Sequence, residues 1–150
     1  MNSLHLLKWT LMKYILDEEY EYDFDLLGIC CHEKDYRLSW ALNNTLNISL
    51  EKSREDIEVI FNKNLNHNTS FPLFIFKSEK DHTIYYLIGN KSENNLLISE
   101  KKHIDFFLKI KSSAEINISE ILDKIKSISF VLTAHCVVVN ELKSKEYLIF

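Results

Sequence analysis

The sequence predicts an α+β fold: one domain with a mainly antiparallel sheet of six or seven strands and two helices packed on one face. Three observations predict it. Phe24–Cys31 is a nearly continuous apolar run, and it passes at once into a helical stripe of Leu38, Ala41, Leu42 and Thr45. A second stripe, Ile118, Ile121, Leu122, Ile125 and Ile128, opens behind Asn117 or Ser119 as a helix cap. Between the two, several stretches alternate or run apolar over strand lengths. A ferredoxin-like βαβ…βαβ core with an inserted hairpin is the alternative architecture.

Taken in order, residues 1–11 read as a peripheral extension ahead of a second start at Met12, and 12–150 as the domain. A short strand at 14–16 leads into an acidic connector, 17–23. The strand Phe24–Cys31 has the composition of one covered on both faces. The helix after it starts near residues 33–35, where acids face the positive end of its dipole. Tyr36 and Trp40 are expected to widen its buried stripe, so that Trp40→Ala costs about 3–5 kcal/mol. Residues 55–62 set Ile57, Val59 and Phe61 on one face of a half-exposed strand. After a polar loop at 62–70, Pro72 belongs near the start or on the edge of a strand over 71–76, since it cannot donate to a ladder. Residues 83–88 return as its hairpin partner, and Gly89-Asn90 marks a turn. Residues 94–100 and 103–111 read as extended, 130–139 as a buried β-branched strand. The tail 140–150 is expected to dock on the body.

Composition removes whole classes of function. Of 150 residues two are Gly and one is Pro, against ordinary shares of about 7% and 5%. Phosphate loops, dinucleotide fingerprints and nucleophile elbows need clustered glycines, and Gly28 and Gly89 are too far apart to supply them. The net charge of −4 argues against DNA as a partner. Charge is uneven: residues 14–60 carry 12 acids against 4 bases, and residues 101–150 carry 8 Lys against 6 acids. Three cysteines, two of them adjacent, suit a reducing compartment, and no apolar run reaches the roughly 20 residues of a membrane span. The expectation is a cytoplasmic protein without a membrane segment.

Two constellations come from the residues themselves. Cys30, Cys31 and His32 would meet His135 and Cys136 if the first and last strands pair. Adjacent strand residues point to opposite faces, however, and CxxC spacing is missing, so no metal and no cofactor is expected. His32, Asp35 and Arg37 with Glu33 stand at a strand–helix junction, where a helix N-terminus can hold an anion. The same residues serve equally as first-turn acids, a cap and an exposed ion pair.

Residues 98–106, Ile-Ser-Glu-Lys-Lys-His-Ile-Asp-Phe, resemble the motif that names the bacterial IPExxxVDY family, whose function is unknown. Leu27-Gly28-Ile29, the run 34–42, Val131-Leu132-Thr133-Ala134 and the ending 143–150 are similar to it as well, so the resemblance covers residues 13–150. Ser99 stands for the family's Pro, Ile104 for its Val and Phe106 for its Tyr. Without that phenol, Glu100 and Asp105 are the polar residues left of the motif. Two carboxylates there can share a proton or hold a metal, or they can tie the turn to backbone N–H groups. The resemblance implies no substrate, cofactor or catalytic residue.

Three functions follow as expectations. The first is a non-catalytic module that binds another protein, through the tail or an open sheet edge. The second is a small-ligand binder or enzyme using Glu100 and Asp105. The third is RNA binding through Lys101, Lys102, Lys109 and Lys111 with the neighbouring phenylalanines.

Overall fold

The computed structural model describes residues 22–61 and 68–150. The expected extension 1–11, the strand 14–16, most of the connector 17–23 and much of the loop 62–70 lie outside the described residues. The elements are β1 (Phe24–Cys31), α1 (Asp35–Leu46), β2 (Glu51–Lys52), β3 (Ile57–Val59), β4 (Thr69–Phe71), β5 (Leu73–Ser78), β6 (Thr83–Gly89), β7 (Lys91–Ser92), β8 (Asn95–Leu96), β9 (Phe106–Ser112), α2 (Ile118–Lys126) and β10 (Val131–Cys136). Short 3₁₀ turns occupy Ser99–Lys101, Val139–Glu141 and Lys145–Leu148.

Six strands form one antiparallel sheet in the order β10-β1-β9-β6-β5-β2, with β3–β4 and β7–β8 as separate two-stranded ribbons. Both helices lie on one face, as expected. Leu38, Ala41, Leu42 and Ile125 pack there on Leu27, Ile29, Leu87, Leu108 and Ile110. Full burial of Leu38 and Leu42 contributes about 1.5–3 kcal/mol each. The other face has no helix among the described residues. Val59 and Phe71 of the ribbon, the turn residues Leu97, Ile98 and Ile104, and Val137, Val139, Leu142 and Leu148 cover Leu26, Leu73, Ile88 and Phe107.

Local signals account for the element ends. α1 finishes at Asn47, whose left-handed backbone (φ 55°) returns an N–H to the Asn43 carbonyl. Asn43 then brackets Leu50 with both ends of its amide, starting the chain toward β2. Asn117 caps α2 by accepting from the Glu120 N–H at 3.1 Å.

The structure corrects four expectations. Trp40 and Tyr36 are 68% and 64% exposed, because they point away from the sheet instead of widening the stripe. The strand over 71–76 is broken at Pro72 into β4 and β5. The broken corner is sealed by Gly89, whose N–H donates to the Pro72 carbonyl at 2.9 Å. A Cβ on Gly89 would stand 2.5 Å from the proline ring, so the one proline and one of two glycines form a single close approach. Residues 94–100 give only the two-residue β8 and a 3₁₀ turn. β10 is an edge strand, with Leu132 and Thr133 exposed, not a buried one.

Candidate functional site

Four places hold the residues singled out above. The first is a cleft of about 330 Å³ where β1 meets α1, lined among others by His32, Asp35, Lys91 and Asp105. The fold thus brings the junction and half of the motif together, because β9 runs beside β1 and starts just after Asp105. Arg37 is elsewhere: its guanidinium is 3.7 Å from Glu33 and lies over the Phe130 ring at 5.5 Å. Asp105 is fully engaged. One carboxylate oxygen accepts from the Cys31 N–H at 2.9 Å, and the other from Lys91 Nζ at 2.7 Å. Asp35 accepts from the Tyr36 N–H at 2.7 Å, spending a helix N-terminal donor on its own chain. Burial first, and Asp105 after it, raises the Cys30 thiol above its ordinary value. Burial likewise raises Cys31, so neither is a ready nucleophile at neutral pH.

Glu100 does not join Asp105. It sits on the 3₁₀ turn Ser99–Lys101 and accepts from the Ser144 N–H at 3.0 Å and the Ser144 hydroxyl at 3.2 Å, clamping the turn to the tail. Partial burial opposes its ionisation, but these bonds outweigh that and hold its carboxyl below the usual value. The stretch 98–105 is in fact organised by Asn90, a fully buried residue. Asn90 Nδ2 donates to the Lys101 and Ile104 carbonyls at 3.0 and 2.8 Å, and its Oδ1 accepts from the Ile98 N–H at 2.8 Å. Its backbone bonds Leu97 and Asp105, both at 2.9 Å. These bonds give the residues of the motif a structural job: they close a turn around one amide.

The cysteine–histidine set is divided as its alternation requires. Cys31 faces the helices and Cys30 the opposite side. His135 stacks on His103 with ring centres 5.9 Å apart and planes at 11°. Burial, then His103, Lys101 and Lys126, lowers the His135 pKa. Among the described residues no group of three metal-ligating side chains converges.

The fourth place is the tail. Leu148 is fully buried, as self-docking requires, and a buried lysine holds it. Lys109 is 1% exposed and donates to the Leu148 carbonyl at 2.7 Å and the Phe150 carbonyl at 3.4 Å. Phe150, Phe24 and Tyr86 surround its ammonium at 4.1, 4.6 and 4.9 Å from their ring centres. Sequence reasoning grouped Lys109 with surface lysines. The alternation through β9, which sets it beside buried Phe107, was the available signal. Of that set, Lys109, Phe106 and Phe107 are buried, Lys102 is exposed, and Lys111 stands 3.3 Å from Asp23.

Beside the tail runs a groove of about 500 Å³. Ile57, Val59, Leu73, Ile75, Ile149 and Phe150 give it an apolar floor. Its charged lining is wholly acidic: Glu55, Asp56, Glu58 and Glu146, of which Asp56 is bonded by Lys52.

No protein-family model matches the chain, and no curated protein matches it. Among the described residues no helix is long and apolar enough to cross a membrane.

Proposed function

We propose that this chain is a non-catalytic protein-binding domain of a cytoplasmic protein. Its groove between the tail and the β3–β4 ribbon takes an apolar segment carrying Lys or Arg side chains. The carrying observation is the combination of that apolar floor with an acidic rim. Apolar burial supplies affinity in such a groove, and the rim selects the charge of what enters. The two acids support the reading by contrast, since the oxygens of Asp105 are engaged by Cys31 and Lys91 and those of Glu100 by Ser144. Membership of the IPExxxVDY family is part of the same proposal, supported by the coherence of residues 98–105 as one turn.

Fluorescence anisotropy with two labelled peptides tests it, one alternating Leu with Lys and the other Leu with Glu. The Lys peptide should bind about tenfold tighter, a difference of about 1.4 kcal/mol. The double variant Glu55→Lys, Glu146→Lys should reverse the preference, and Ile149→Asn should weaken both peptides. Equal affinity for the two peptides rejects the reading.

A further inference from the structure

The sheet treats its two edges differently. At one end β2 is two residues long, both exposed and charged, and Lys52 is paired with Asp56. That edge has the short length and charge that discourage strand addition. At the other end β10 is six residues long, and no Asp, Glu, Lys or Arg occurs anywhere in residues 127–140. The irregularity opposite Cys30 and Cys31 leaves Leu132 without a partner on β1, and the strand after it, from Thr133 on, keeps a regular register and carries no charge.

The pairing phase shows which groups are open. Val137 donates to the Leu26 carbonyl at 2.8 Å, so Thr133 and His135 turn their backbone groups toward β1. Ala134 and Cys136, of the other parity, turn theirs to the outer side, where no described strand pairs with them. Leu132 and Val138 add exposed apolar side chains at 66% and 56%.

We infer that this edge is where two copies of the chain associate, β10 against β10 antiparallel across a two-fold axis, joining two six-stranded sheets into one. The register centred on the open groups pairs Ala134 with itself and sets Cys136 opposite the irregular residue Leu132 of the other copy. Charge favours a second copy as the occupant. The nearest formal charge before the strand is Lys126 and the nearest after it is Glu141. Antiparallel pairing sets the Lys126 end of one copy against the Glu141 end of the other, and nothing charged lies between to repel. His135, the one basic side chain within the strand, faces His103, Lys101 and Lys126, all cationic or titratable toward a cation. Burial first, and these neighbours after it, hold its pKa below the ordinary imidazole value, which disfavours a charge in the seam. The contact is independent of the groove, which lies beside β5 near the other edge.

Sedimentation velocity of the full chain, from about 1 to about 200 μM, reads the outcome through the mass-action dependence of association. The expected result is a concentration-dependent dimer. Leu132→Lys places a guarding charge at an exposed position, and should weaken association at least about tenfold with an unchanged circular dichroism spectrum. Ala134→Pro removes an outward N–H without touching the ladder to β1, and should do the same. A monomer at every concentration overturns the inference. So does a monomer whose Ala134 and Cys136 amides resist hydrogen exchange, which would mean that another part of the chain occupies the edge. A dimer indifferent to both substitutions overturns it too, because the contact then lies elsewhere.

Discussion

Lys109→Met isolates the free energy of a charge held inside the fold. Burial, and after it Lys111, holds the Lys109 pKa down to about 8 from 10.5, against the pull of Asp23. A difference of about 2.5 at 1.36 kcal/mol each is roughly 3 kcal/mol. The ring faces of Phe24, Tyr86 and Phe150 favour the charged form, so this is an upper value. The folded value is depressed, so between pH 8 and 10.5 the unfolded chain binds more protons and stability rises with pH. Below that window both states are charged and the penalty is complete; above it neither is. Burial raises the pKa values of Cys30, Cys31 and Tyr85, which gives the opposite slope in the same region. The useful quantity is therefore the difference between wild type and Lys109→Met, in which those groups cancel. Guanidinium unfolding under reducing conditions, at several pH values from about 7.5 to about 10.5, should show wild type gaining on the variant by up to about 3 kcal/mol. Curves that stay parallel within about 0.5 kcal/mol would refute the claim that burial governs this lysine.

Other substitutions test the remaining contacts. Trp40→Ala should cost less than about 1 kcal/mol in chemical unfolding, since its indole is in solvent. Gly89→Ala should cost about 1–3 kcal/mol, because the added methyl meets the rigid Pro72 ring; an unchanged midpoint would show that the corner yields freely. Asp105→Asn keeps the shape but weakens two charge-assisted bonds, with an expected loss of about 1.5–3 kcal/mol and faster exchange of the Cys31 amide. Glu100 has a lowered pKa, so the stability from its Ser144 bonds is present above the usual carboxyl value. It should fade as the pH falls through the folded value, read as loss of Ser144 amide protection that Glu100→Gln abolishes.

Much of the fold was legible because its signals are local. The β1 run, the stripes of α1 and α2, the β5–β6 hairpin and the alternation of β9 each declare a period within a dozen residues. Trp40 was misplaced by its size, although the period itself had the answer. Tyr36 and Trp40 each precede a buried leucine by two residues, about 200° around the helix, and so face away from Leu38 and Leu42. Pro72 belongs near the start or on the edge of a strand, and it stands directly before β5; the break at it arises because the residues before it pair with β3 in a separate ribbon. Lys109 and Asn90 were out of reach for another reason. Their partners are 39 to 41 and up to 15 residues away, and no local pattern encodes such distances. Glu100 and Asp105 stand five residues apart in sequence, and only the fold gives each a different partner, Ser144 for the one and Cys31 with Lys91 for the other.

Asn90 has a consequence for how the molecule comes apart. The segment 97–105 has no ladder of its own, and its shape comes from one side chain at the end of β6. Three of its main-chain groups bond that amide directly, and Glu100 passes the attachment on to Ser144 in the tail. The turn therefore has few partly formed states: losing the amide orphans several buried groups at once, and the segment must release together. It behaves as a cooperative unit stitched from a point, whose opening would release Ser144 while Lys109 still holds the end of the tail.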